Sequence, residues 1–223
     1  MSNKVLVQSA CKPGASRPVV LSVCLVGLFV TPVLKARDFS VLPVQSFVVV
    51  NHAKPKHMAA PLISELPHTI WGQSASRHGL DPYILYAVAL IESGRIDGDL
   101  AKPWAWAVND HGHPHYHITK EAALFQIQRS LRTGRPSQDV GLMQINVRWH
   151  GKRVRDLETL IQPEVNIELG ATILAEGIAT TRGDLARGIG RYHAWSNQSQ
   201  AVKYGHHVLE LAERLRRLSR QGG

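Results

Sequence analysis

The chain reads as a mainly α domain with a small inserted β-hairpin, an α+β arrangement in which helices dominate. Three observations predict this. Beyond residue 60, apolar residues recur at helical spacing, as in Ile84, Val88 and Ile91. Helix-start and helix-stop residues bracket these runs. Between Trp104 and Ile118 the period switches to two around an Asn109-Asp-His-Gly112 turn, which is hairpin patterning.

In chain order, Pro67 suits a first helical position and His78-Gly79 a C-terminal stop. Asp81-Pro82 opens the next helix as N-cap and first residue. The predicted hairpin follows, with Trp104, Trp106 and Val108 alternating on its first strand. Thr119 then caps a helix through Leu131, which Gly134 ends, and Pro163 starts another carrying Val165, Ile167, Leu169, Ile173 and Leu174. Further helices fit Leu185–Trp195 and Ser199–Leu218, and the basic tail Arg214–Arg220 reads as a solvated helix end. The folded unit spans residues 61–218, and no internal repeat is visible.

The 223 residues suit one domain with a sizeable core, and 44% hydrophobic against 19% charged residues excludes bulk disorder. Residues 1–36 hold Lys4, Lys12, Arg17 and Lys35 but no acid, ahead of an apolar run Val19–Val30 and a cut point at Ala36. This is the pattern of a secretory signal peptide. A retained inner-membrane anchor, giving transient membrane association, and a lipoprotein modified at Cys24 are the alternatives. Both cysteines, Cys11 and Cys24, lie in this segment, so a mature form needs neither disulfides nor thiol chemistry. Residues 37–60 read as a linker. Export to the periplasm is the expectation. The net charge of +9 falls to +5 without residues 1–36, with 22 basic and 17 acidic residues left. That suits an anionic cell-wall polymer. No basic stripe is interleaved with aromatics, so no nucleic acid is expected.

Glu92 ends the apolar run Tyr83–Ile91 and is followed at once by Ser93-Gly94. A carboxyl leaving a packed helix face into a cleft, among apolar neighbours, can hold a proton near neutral pH and donate it. The bland alternative is a solvated helix-end glutamate. Three further segments share the chain with it: Gly141-Leu-Met-Gln-Ile-Asn146, Pro163–Gly170 and Arg191-Tyr-His-Ala-Trp195. Glycine at 141 permits close backbone approach, and Gln144 both donates and accepts hydrogen bonds.

In this order and spacing the four segments resemble the soluble lytic transglycosylase family, over roughly residues 62–212. The resemblance implies a lysozyme-like fold and cleavage of the β-1,4 bond between N-acetylmuramic acid and N-acetylglucosamine in peptidoglycan glycan strands. Glu92 matches the catalytic acid and Ser93 the residue that helps position it. Gln144 and Tyr192 match residues lining the cleft, Met143 part of a sugar platform, and Asn146 completes the substrate-binding set. The insertion Pro103–Asn109, with Asp139–Asn146, looks most like the branch associated with conjugative and type IV secretion systems, whose components would then be partners. Where the family often has Tyr-Asn-Ala-Gly, this chain has Tyr192-His-Ala-Trp195, which leaves the asparagine's hydrogen bonds without a counterpart.

Ordinary glycosidases use two carboxyl groups. Glu92 is the one evident candidate here; Asp97 and Asp99 follow closely enough to supply a second. The resemblance implies the single-glutamate route, in which Glu92 is acid and then base and a 1,6-anhydromuramic product forms. A hydrolytic muramidase and a non-catalytic wall-binding scaffold are the alternatives. No cofactor is implied. His111, His113, His115 and His117 alternate, and in an extended chain would face one side, where zinc or nickel capture is conceivable. A polar hairpin tip is favoured over a metal site, since Pro114 interrupts the ladder. Trp104, Trp106 and Tyr116 are candidates for stacking on sugar faces, against simple packing of the hairpin on the helices.

Overall fold

A computed structural model describes residues 63–97, 100–134 and 137–221. The signal-like segment with its anchor and lipoprotein alternatives, the linker, Asp99 and the side chain of Asp97 lie outside the described residues. No helix among the described residues is long and apolar enough to cross a membrane.

The described chain is mainly helical with small antiparallel sheets, as expected. A 3-10 turn at Leu66–His68 precedes helix α1 (Ile70–Arg77). Pro67 therefore sits in that turn, and α1 starts at Thr69, whose hydroxyl accepts from the Trp71 amide. Gly79, at φ +63°, ends it in the left-handed region that glycine occupies without strain.

Helix α2 (Pro82–Ser93) begins as its sequence dictates: the Asp81 carboxylate accepts from the amides of Tyr83 at 2.8 Å and Ile84 at 3.3 Å. Ile84 to Leu90 are all buried. A helix apolar all round belongs in a core, and this one carries Glu92 at its far end.

From that end the chain forms a two-stranded ribbon, β1 (Gly94–Asp97) with β2 (Leu100–Pro103), Gly94 opposite Pro103. The predicted hairpin follows as β3 (Ala107–Asp110) and β4 (His113–Tyr116). It is half of a four-stranded antiparallel sheet ordered β4-β3-β5-β6, completed by β5 (Gln138–Val140) and β6 (Ile145–Asn146). The ribbon and the last two strands are not among the elements expected from the sequence.

Helix α3 (Lys120–Arg132) starts at Thr119, whose hydroxyl caps Ala122, and stops before Gly134 at φ +74°. Two short helices, α4 (Val147–His150) and α5 (Leu157–Leu160), lead to α6 (Pro163–Ala179), then α7 (Leu185–Gly190) and α8 (Gln198–Gln221). Helix α7 ends at Gly190, five residues before the expected Trp195. Its glycine allows the approach of α8: a Cβ on Gly190 would strike the Ala201 carbonyl, and one on Gly205 the Ala186 carbonyl. The resulting backbone contact seats α8 against the end of α7 and beside α2.

Candidate active site

Glu92 occupies the last turn of α2 with 16% of its side chain exposed. Tyr204 of α8 donates its hydroxyl to Glu92 Oε1 at 2.6 Å. His193, in the turn after α7, lies flat on the Tyr204 ring, with centroids 4.8 Å apart and planes 4° apart. Its Nδ1 is 3.9 Å from the same Oε1. Three segments thus converge on one carboxylate. Burial, then the charge of Glu92, drives the Tyr204 phenol well above its ordinary pKa, so it remains a donor. A donated hydroxyl favours the ionised carboxylate, whereas burial favours the neutral acid. The site sets those two effects against each other.

Ser93 points the other way. It is 1% exposed, donates to the Leu142 carbonyl at 2.6 Å and accepts from the Trp104 amide at 3.2 Å. Its hydroxyl therefore does not face substrate; it pins the end of α2 to the Gly141–Gln144 turn and to the chain entering β3.

That turn is built around Asn166 of α6, which is fully buried. Its side chain accepts from the Met143 amide at 2.8 Å and donates to the carbonyls of Val140 and Leu160 at 3.0 and 3.1 Å. Gly141, at φ +79°, leaves room for it: a Cβ there would lie 2.5 Å from the asparagine amide nitrogen. Gln144 takes φ +47°, a conformation that costs a non-glycine residue about 1 kcal/mol or more. Its side-chain amide is held by the carbonyls of Gly141 at 2.9 Å and Ala107 at 3.2 Å. Such strain is sustained only where surrounding bonds over-determine it.

Met143 is placed differently from the expected sugar platform. The side chain is wholly buried and packs on Gly170, so it works in the core. Its carbonyl accepts the Tyr192 hydroxyl at 2.6 Å. Burial first, then the charges of Glu92 and Asp139, keep Tyr192 well above its ordinary pKa. Asn146 caps α4 through the Trp149 amide and donates to Asp139 at 2.7 Å, so its side chain is engaged within the protein. Asp139 also accepts from Asn109 at 3.2 Å. Of the predicted site residues, Glu92 and Tyr192 are brought within electrostatic reach of one another, and Gln144 lies one residue from the carbonyl that holds Tyr192.

An open groove of about 540 Å³ is lined by Gly94, two residues after Glu92, and by Arg95, Pro114, His115, Tyr116 and His117. Trp104 does not offer it a bare ring: the Arg95 guanidinium lies over that ring at 4.6 Å, and the indole N–H donates to the His117 carbonyl at 2.7 Å. Trp106 packs against the core.

The histidines do not form one row. His111 sits in the turn at φ +53° with Nδ1 2.6 Å from Asp110, while His117 bonds Gln126 at 2.8 Å and stacks on His115. Among the described residues no group of three or more His, Cys, Asp or Glu is placed to hold a metal ion.

Sequence reasoning missed Tyr204. The available signal was a tyrosine in the apolar face of α8 with Ala201, Val208 and Leu211, since a buried phenol requires a polar partner.

No curated protein and no solved structure matches the chain. Glu92 lies outside the segment that matches a family model. That segment, residues 118–206, which holds Gln144, Tyr192, His193 and Tyr204, is similar to the transglycosylase SLT domain, a family of the lysozyme-like superfamily.

Proposed function

We propose that the protein is an exported peptidoglycan lytic transglycosylase with Glu92 as its single acid and base. The observation that carries this is the Glu92 carboxyl, 16% exposed and hydrogen-bonded by Tyr204, two residues before Gly94, which lines an open groove. The match of residues 118–206 supports the substrate class.

In this reading protonated Glu92 donates to the glycosidic oxygen as the bond from C1 of N-acetylmuramic acid breaks, and N-acetylglucosamine leaves with that proton. The substrate's own N-acetyl group stabilises the positive charge at C1. The muramic 6-hydroxyl then attacks C1 and gives its proton to ionised Glu92, closing a 1,6-anhydro ring. No water is consumed, and the acid is regenerated. Serving both steps requires a pKa near the working pH. Tyr204 and His193 are the positioning residues, both set against Oε1 of the carboxyl. Tyr192 braces the Gly141–Gln144 turn.

Export, a periplasmic location and a role in opening the wall for a conjugation or type IV secretion apparatus belong to the same proposal. They rest on the N-terminal pattern and on the motif resemblance.

Glu92→Gln is expected to fold and to release no anhydro-muropeptides from purified cell wall. Wild-type release by that variant rejects the assignment. Mass spectrometry of the wild-type product separates the alternatives, because an anhydro product is one water lighter than the reducing end left by a hydrolytic muramidase. A scaffold yields neither.

A further inference from the structure

The groove lined by Gly94, Arg95 and Tyr116 is unsuited to stacking a sugar. The Arg95 guanidinium lies over the Trp104 ring at 4.6 Å and the Tyr116 ring at 5.6 Å. Those contacts occupy ring faces and use the π face of the guanidinium, while its five N–H donors lie in its plane and project past the rings. Arg95 is exposed, as are His115 and Tyr116 across the groove. What this surface offers a ligand is a rigid, planar fork of donors with positive charge, and the group that fits such a fork is a carboxylate.

The fork is also fixed relative to the acid. Gly94 lines the groove two residues after Glu92, so their Cα atoms are at most about 7.6 Å apart. Trp104, which carries Arg95, donates its amide to both the carbonyl and the hydroxyl of Ser93, at 3.1 and 3.2 Å. Its indole N–H fastens it to His117, the far wall of the groove. A ligand held at Arg95 is therefore registered against Glu92 through a short chain of hydrogen bonds.

We propose that Arg95, set on Trp104 and Tyr116, binds a carboxylate of the peptide stem borne by the muramic acid unit under cleavage, so that the enzyme selects strands with free stem carboxylates over strands whose stem carboxyls are amidated. The inference rests on the transglycosylase reading for its substrate. A peptide stem carries free carboxylates, while the lactyl carboxyl that joins it to the muramic acid is held in an amide. Removing the stem with an amidase would free that carboxyl, so the comparison free of carboxylates is a strand whose stem carboxyls are amidated.

The test compares initial release of anhydro product from stem-bearing strands and from the same strands with their stem carboxyls converted to amides. Because the site is solvent-exposed, wild type is expected to favour the polymer with free carboxylates by about fivefold to tenfold. In Arg95→Gln that ratio falls toward one, and Arg95→Lys, which keeps the charge but loses the fork, lies between. In parallel, a free tetrapeptide stem is titrated into the full chain while the Arg95 Nε–H and Tyr116 amide resonances are followed; they move in wild type, and do not move with the fully amidated peptide. An unchanged ratio in Arg95→Gln, or resonances indifferent to the tetrapeptide, overturns the carboxylate site. If wild type cleaves neither polymer, the transglycosylase reading fails, and the peptide titration alone decides whether Arg95 is a carboxylate site.

Discussion

Tyr204→Phe removes one oxygen from the site and nothing else, so its effect isolates the 2.6 Å bond to Glu92. The hydroxyl donates to the carboxylate, and a hydrogen bond to a charged group is worth about 1.5–3 kcal/mol. The lower end amounts to about a tenfold preference for the ionised over the protonated acid. Glu92 starts the reaction protonated, so activity is present at low pH and fades as pH rises through its folded pKa. Removing the donor withdraws support from the charged form and raises that pKa. The alkaline limb of the pH–rate profile should therefore move to higher pH, while folding stability falls by about 1 kcal/mol. Initial rates on purified cell wall across the pH range, with thermal unfolding alongside, supply both numbers. A limb that stays in place, or moves to lower pH, refutes the claim that Tyr204 tunes the acid. A variant that loses all activity at every pH shows instead that Tyr204 orients the carboxyl.

His193→Asn replaces a titrating ring 3.9 Å from Glu92 with a neutral amide. One ionisation should disappear from the pH–rate profile, and an unaltered profile rejects an electrostatic role for the ring. Far from the site, Glu168 of α6 accepts from Arg77 at 2.6 Å, Ser74 at 2.7 Å and bonds His78 at 2.7 Å. These partners, Arg77 foremost, pull its carboxyl down to about 2. A depressed carboxylate stabilises the fold above its unfolded pKa and loses that contribution as pH falls toward the folded one. With 37% of the side chain exposed, screening reduces the expected cost of Glu168→Gln to about 1 kcal/mol at neutral pH. In calorimetry the gap to wild type should close between about pH 4.5 and 2. A gap that persists at pH 2 means the effect is packing and not charge.

The helical frame was legible because capping chemistry is local. Asp81 and Thr119 each open the helix predicted for them by accepting from amides two or three residues on, and Pro163 opens its own as a first residue whose missing N–H costs no hydrogen bond. The end of α7 was not legible, because Gly190 stops it to let the Ala201 backbone approach, a fact about another helix. Glu92 could be picked out by its place at the end of an apolar run. The roles of Ser93, Met143 and Asn146 could not. Each is a polar or flexible residue in a motif near the acid, and only three-dimensional contact shows that Ser93 bonds inward, Met143 fills the core and Asn146 caps a helix. Motif membership marks the neighbourhood of a site; burial decides which side chains reach the ligand.

The same distinction bears on where the chemistry resides. The acid lies outside the segment that matches a family, yet three groups that position or sense it lie inside: Tyr204 by hydrogen bond, His193 by its ring, Tyr192 by its charge environment. The link between the two halves is carried by a few short bonds. Ser93 ties α2 to the Gly141–Gln144 turn, Asn166 ties that turn to α6, and glycine contacts dock α8. None of these bonds involves a group free to face substrate. The fold thus engages these scaffolding polar groups in mutual contacts around a partly exposed carboxyl. The proposed chemistry falls to that carboxyl, Glu92, gripped by a tyrosine 112 residues away.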